Sequence, residues 1–281
     1  MDTTEQSGTS APFAWQMSGL TDVGLRRESN EDCIHVDEKL GLVILADGMG
    51  GHQGGEVASA MAITAIRETI EASALRESGQ SPWQGRSSAQ LQELLAEAVQ
   101  KANHRIFALA EADARYEGMG TTVVVALCTG QHLVYGHAGD SRLYRCQSGQ
   151  LQQMSRDHSL VNELVDKGFY TEEQARQSAR KNVITRALGT AENVQLDCAV
   201  TELLTGERYL LCSDGLSDLC SNSEMLALLQ AHESPQVCCQ ALIDAANANG
   251  GRDNISVILL DILPASSAAR LRRSLQRLFK V

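Results

Sequence analysis

Several stretches of this chain are almost unbroken in apolar character over the length of a strand: Leu42–Ala46, Thr121–Cys128, Tyr209–Cys212 and Ile255–Ile262. Runs this short, bounded by turn residues, read as buried strands rather than helices. Shorter strand signals lie at Trp15–Asp22, Cys33–Asp37, His132–Ala138 and Arg142–Cys146. The turns Thr129-Gly130 and Gly139-Asp140 separate the last two and the run before them, which predicts an antiparallel meander. Helical spacing appears elsewhere. Val57, Met61, Ile66 and Ile70 mark a helix over about 55–74, and Leu91, Leu94, Leu95, Ala98 and Ala102 mark one over about 89–112. Two more are predicted at 223–231, with Ser221 or Ser223 as N-cap, and at 235–248, broken by Asn249-Gly250-Gly251. Strand meanders with paired helices give an α+β layout and not alternating βαβ units.

Residues 1–15 are polar and small, a flexible N-terminal tail without the basic-then-apolar order of a secretory signal. One domain over 16–263 follows, then a tail over 264–281. No apolar run approaches the roughly 18 residues of a membrane span. The eight cysteines include no Cys-x-x-Cys pair, which disfavours zinc and a disulfide framework and fits a reducing cytoplasm. The formal net charge of −11 argues against broad nucleic-acid binding, which needs a basic surface. Most of that acidity reads as solvated surface, but part of it recurs at strand ends.

Those strand-end carboxylates are Asn30-Glu31-Asp32, Asp47-Gly48, Gly139-Asp140-Ser141-Arg142, Asp214-Gly215 and Asp253-Asn254. Aspartates beside glycines, where the backbone can come close, suit hard divalent cations with oxygen ligands. A lone Asp-Gly is a common turn and weak evidence. Several at the ends of successive apolar strands, far apart in sequence, predict one di-metal phosphate-ester hydrolase site. His35, His104, His132 and His137 lack paired ligand spacing and read as packing or surface. The Cys238-Cys239 pair reads as buried.

In order, the motifs are Asp22 through Arg27 to Asn30-Glu31-Asp32, then Ala46-Asp47-Gly48-Met49-Gly50-Gly51-His52 and Gly118-Met119-Gly120-Thr121-Thr122. Gly139-Asp140-Ser141-Arg142, Ile184-Thr185-Arg186-Ala187-Leu188-Gly189, Cys212-Ser213-Asp214-Gly215-Leu216-Ser217-Asp218 and Asp253-Asn254-Ile255-Ser256 follow. From about Gln16 to Leu263 the chain resembles the bacterial form of the metal-dependent Ser/Thr protein phosphatases, the PPM or type 2C family. The resemblance implies a four-layer αββα sandwich, two antiparallel sheets flanked by helix pairs. It implies Mn²⁺ or Mg²⁺ as cofactor: two ions bridged by Asp47, with the Gly48 carbonyl on one and Asp214 and Asp253 completing the other. Asp140 and Asp218 would join Asp214 around a weaker third ion. Glu31 and Asp32 would act through metal-bound water, and Asn254 would steady the arrangement by hydrogen bonds.

Arg27 corresponds to the family's phosphate-binding arginine, and a guanidinium fork suits that task; Arg26 reads as solvated. The implied reaction is attack of a di-metal-activated water on phosphoserine or phosphothreonine, in proteins phosphorylated by a Ser/Thr kinase pathway. The animal branch has His directly after the Asp-Gly pair, whereas this chain has Met49. His52 is thus one candidate proton donor and metal-bound water the other. Residues 157–181 match the family's flap, suited to protein-substrate recognition. Alternatives are an inactive PPM-like binding module and a small-molecule phosphatase on the same fold. The intact carboxylates count against the first. In the final tail, Leu271, Leu275, Leu278 and Phe279 fall at helical spacing among Arg270, Arg272, Arg273, Arg277 and Lys280. Such a basic amphipathic segment suits weak docking on anionic lipid or a partner, or packing back onto the acidic domain. A monomer is expected.

Overall fold

The computed structural model describes residues 13–51, 53–74, 81–171, 173–174, 178 and 183–264. His52, the basic tail and most of the N-terminal tail lie outside the described residues.

The continuous apolar runs have a simple structural cause: each lies in a sheet that is covered on both faces. One sheet has the order β1 (Phe13–Asp22), β11 (Ile255–Pro264), β10 (Arg208–Cys212), β7 (Arg142–Gln147) and β8 (Gln150–Gln153). The other runs β2 (Asp32–Asp37), β3 (Leu42–Met49), β5 (Val123–Cys128), β6 (His132–Ala138) and β9 (Asp197–Glu202), with the short β4 (Gly120–Thr121) paired to β3. All pairings are antiparallel.

In β3, Leu42, Ile44 and Ala46 pack against helices α1 (Gly54–Ser73) and α2 (Ser88–Ala112). Val43 and Leu45, on the opposite face, meet Met17, Leu211, Ile258 and Leu260 of the first sheet. The same division holds in β11, where Val257 and Leu259 face a helical core containing Met225, Leu242 and Ile243. Three apolar layers thus separate four structural layers. Period-2 alternation places residues on both sheet faces, and here both faces are dry. The α+β sandwich expected from the resemblance is observed.

Local caps set the helix starts. Ser87 and Gln90 form a reciprocal capping box at α2. Ser221 and Glu224 do the same for α5 (Asn222–Ala231), followed by α6 (Pro235–Ala248) with its proline in the first turn. Of the flap, α3 (Leu160–Asp166) is helical; its neck closes where Ser159 bridges Ile184 and the Thr185 N–H donates to the His158 carbonyl at 2.9 Å. A short helix, α4 (Asp214–Ser217), directly follows β10.

The structure corrects one topological expectation. β5 and β6 form a hairpin, but β7 does not continue the meander. The turn Gly139-Asp140-Ser141 carries the chain out of one sheet and into the other, where β7 pairs with β10 and β8. Asp140 therefore sits on the crossover between sheets. Strand β1 also begins at Phe13, two residues before the strand read from Trp15. Among the described residues no helix is long and apolar enough to cross a membrane.

Candidate metal centre

The sheets bring their acidic ends together at one edge of the sandwich. Asp32 and Asp47 stand directly opposite each other at the end of the β2–β3 pair. Asp214 follows β10 as the first residue of α4, and Asp253 precedes β11. Two glycines make the approach possible. A Cβ on Gly215 would lie 1.9 Å from the Asn254 carbonyl oxygen, and one on Gly48 would lie 2.1 Å from that of Gly55. No side chain fits at either position, which explains the Asp-Gly pairs more directly than turn geometry does.

The carboxylates feel one another. Burial raises the proton affinity of Asp47 well above the ordinary carboxylate range, and the negative charges of Asp32, Asp214, Asp140 and Asp253 raise it further. Asp214 is pushed up to about 8, first by burial and then by Asp140, Asp253, Asp218 and Asp32. Asp140 is pushed up to about 6 by burial and by Asp157. Burial also raises Asp32, against hydrogen bonds from Ser256 and Ser213 that favour its ionised form. Like charges held together in a poorly solvated place bind protons in excess, and a cation relieves the same repulsion. The Asp32 Oδ1 and Asp140 Oδ1 atoms are buried without a hydrogen-bond partner. Orphaned carboxylate oxygens within an acidic cluster fit a hard divalent cation.

Around this centre the chain is tied down tightly. Asn254 accepts the Glu31 N–H through Oδ1 at 2.8 Å, and its amide donates to the Val23 and Ser29 carbonyls at 3.0 and 2.9 Å. It thereby fixes the loop bearing Arg27, Glu31 and Asp32 against Asp253. Arg27 Nη2 lies 2.8 Å from Asp253 Oδ2, and the guanidinium is about half exposed. Asp218, exposed at the end of α4, adds its charge to Asp140 and Asp214.

Three hydroxyls that sequence reasoning gave no role hold the carboxylate backbone. Thr121 Oγ1 donates to the Asp47 carbonyl at 2.9 Å, and the Asp47 N–H donates to Thr122 Oγ1 at 3.1 Å. Ser213 Oγ donates to Asp32 Oδ2 at 2.9 Å and accepts the Ser256 N–H at 3.0 Å. Their partners are 74, 75, 181 and 43 residues away, so no local pattern announces them. The motifs containing them were visible; their tasks were not.

Away from this centre, two groups among the described residues gather three ligand-type side chains with atoms within 4.8 Å: His137, His158 and Asp197, and His35, Asp37 and Glu71. The histidines His35 and His137, read as packing or surface, have acidic neighbours: Asp37 two residues along the same strand for His35, and Asp197 across the strand pair for His137. The cysteine pair Cys238-Cys239 is buried as expected.

Comparison with known proteins places the chain in a family. The family profile described as Protein phosphatase 2C matches residues 26–253. A "Putative protein phosphatase 2C-type" of Streptococcus pyogenes is 38% identical over 249 residues, covering 87% of this chain and 96% of that protein. The crystal structure of the Mycobacterium tuberculosis serine/threonine phosphatase PstP/Ppp superposes with a TM-score of 0.77 at 37% identity, covering 89% of this chain and 99% of that one. The Staphylococcus aureus serine/threonine phosphatase Stp1 gives a TM-score of 0.80 at 32% identity, covering 92% and 98%. Sandwich, acidic centre and relatives agree: this chain belongs to the protein phosphatase 2C family, and is a bacterial metal-dependent serine/threonine phosphoprotein phosphatase.

Proposed function

We propose that the phosphatase reaction is carried by the carboxylates at the sandwich edge, with Arg27 gripping the phosphate. The observation that supports this most is the convergence of Asp47, Asp140, Asp214 and Asp253, with Asp32 beside them, into a group whose mutual repulsion raises proton affinity. In this reading Asp47, the Gly48 carbonyl, Asp214 and Asp253 would together hold two Mn²⁺ or Mg²⁺ ions, with Asp47 serving both. Asp140 and Asp218 form a weaker third place with Asp214. Glu31 and Asp32 act one layer out, as does Asn254 by fixing the Glu31 loop. A PstP catalytic domain crystallised in complex with two manganese ions has a TM-score of 0.75 and 37% identity to this chain, which favours manganese. When bound, the ions would activate a water for in-line attack on phosphorus.

The chain's own residues do the rest. Arg27 lies against Asp253, so a phosphate on its guanidinium arrives beside the acidic centre. Its exposed fork can take two phosphate oxygens and offset charge as the ester oxygen departs. The leaving serine or threonine oxygen needs a proton, for which a metal-bound water and His52 are the candidate donors. The flap, entered through α3, presents the exposed Phe169 and suits contact with the polypeptide around the phosphoresidue. The substrates in this reading are phosphoproteins of a Ser/Thr kinase pathway in the cytoplasm, met by a monomeric enzyme.

Arg27→Ala is expected to raise KM for a phosphothreonine peptide more than it lowers kcat. That split marks an interaction shared by bound substrate and transition state. Unchanged kinetics would remove Arg27 from the site. Comparing the peptide with nucleotides at equal concentration tests the substrate class. A higher kcat/KM on the nucleotides would favour a small-molecule phosphatase.

A further inference from the structure

The group formed by His137, His158 and Asp197 looks at first like a metal site, but its hydrogen bonds say otherwise. The Gly139 N–H donates to His158 Nδ1 at 3.1 Å. That nitrogen must therefore carry the lone pair, which places the ring proton on Nε2. Nε2 in turn lies 3.1 Å from Asp197 Oδ2 and donates to it. Both nitrogens of His158 are committed. The His137 ring lies parallel to it, with centroids 4.6 Å apart and planes 3° apart. Lone pairs in two stacked planes run side by side instead of converging on one ion.

The same contacts join two parts of the site. His158 begins the neck of the flap, where the Thr185 N–H meets its carbonyl. Its own N–H donates to the Gly139 carbonyl at 2.9 Å while its ring accepts the Gly139 N–H. Gly139 precedes Asp140 on the crossover between sheets, and Asp140 keeps one buried oxygen without a partner. We propose that His158 is a positioning residue: as a neutral acceptor it latches the flap neck to the Gly139-Asp140 turn and so holds Asp140 in place for the weaker third ion. This rests on the metal reading above and extends it.

The latch has a built-in condition. Protonated His158 would turn an N–H toward the Gly139 N–H, two donors facing each other, and the bond would be lost. Burial already lowers the proton affinity of His158 below the ordinary histidine value, and neighbouring His137 and Arg186 act in the same direction. Asp197 opposes them, itself bound by Arg186 Nη1 at 2.6 Å. The latch is therefore closed at neutral pH and opens on acidification below the ordinary histidine range.

Two variants of the full-length protein test this. In His158→Asn the amide oxygen takes the place of Nδ1 and still accepts from Gly139, but does not titrate. In His158→Leu no acceptor remains. Titration with Mn²⁺, read by the electron paramagnetic resonance of the free ion, separates tight from weak binding. At about pH 8 the weak step should be alike in wild type and His158→Asn, and about fivefold weaker in His158→Leu, the worth of one hydrogen bond. On acidification below the ordinary histidine range, wild type should weaken further than His158→Asn, by up to about fivefold as His158 becomes protonated, since both share the same titrating carboxylates. In the metal-free protein, the Gly139 amide resonance should show a titration step from His158 in wild type that is missing in His158→Asn, on top of the response to neighbouring Asp140 that both proteins share. A weak step in folded His158→Leu equal to wild type, or a Gly139 amide whose pH response is the same in wild type and His158→Asn, overturns the latch. The amide measurement decides even where His158→Leu fails to fold. Absence of all Mn²⁺ binding in wild type would bring down the metal reading together with the Asp140 task, whereas a Gly139 titration step present in wild type and missing in His158→Asn would still establish the hydrogen bond.

Discussion

Asp214→Asn is expected to raise the melting temperature of the metal-free protein while removing its Mn²⁺-dependent hydrolysis of p-nitrophenyl phosphate. The two effects come from the same charge. Asp214 is held among Asp140, Asp253, Asp218 and Asp32, and burial with their repulsion pushes its pKa up to about 8. Asparagine keeps the shape and discards the charge, which relieves the metal-free fold. Each kcal/mol relieved should raise the melting temperature by about 2–4 °C in a domain of this size. A ligand lost from the ions should lower kcat by about three orders of magnitude, since metal stabilisation of charge is worth several kcal/mol. An unchanged melting temperature would mean that the carboxylates do not repel as their positions require. Retained turnover would remove Asp214 from the metal centre, and loss of turnover alone, without added stability, would separate the two claims.

The second large effect is the pH dependence of stability and its reversal by metal. Asp47, Asp214, Asp140 and Asp32 all have raised proton affinities in the fold, against an ordinary aspartate value of 3.8. Between that value and about 8, set by Asp214, the folded state holds more protons than the unfolded chain. Stability of the metal-free protein therefore falls as pH rises through this window. His35 and His158, whose proton affinities are lowered by burial, act in the opposite sense near their ordinary range. Their effect is confined to the ordinary histidine range and below, so above it, towards pH 8, the difference between metal-free and loaded protein isolates the carboxylates. Mn²⁺ should raise the melting temperature most at about pH 8, and its binding in weak buffer should release protons. EDTA should abolish turnover. Thermal melts across pH with and without Mn²⁺ check the sign; a stability gain that does not depend on pH, or full activity in chelator, would overturn the account.

How much of this was legible beforehand depended on burial. β3, β5, β10 and β11 announced themselves because both of their faces are dry, leaving compact apolar runs. β8 and β9 escaped notice as edge strands. Gln150-Leu151-Gln152-Gln153 has one apolar residue, and Asp197–Glu202 is only partly buried. Gly139-Asp140 carried a hairpin signal, yet the strand after it pairs in the other sheet. Local turn chemistry does not encode which sheet a strand joins. Among the site residues, Asp47, Asp214 and Asp253 could be picked out because acid, glycine and strand end coincide in sequence. The supporting hydroxyls of Thr121, Thr122 and Ser213, and the imidazole of His158, act on partners brought near only by folding. Their residue types are ordinary, and only the tertiary arrangement reveals what they hold.

The crossover at Gly139-Asp140-Ser141 bears on how the two halves of the sandwich hold together. Asp32 and Asp47 belong to one sheet, Asp214 and Asp253 flank strands of the other, and Asp140 lies between. In the proposed metal reading, a cation held among them would act as a rivet through the seam, and its occupancy would be tied to closure of the two slabs. Neither slab alone would then carry the full proposed set of ligands, so a stress that parts them would disarm the enzyme.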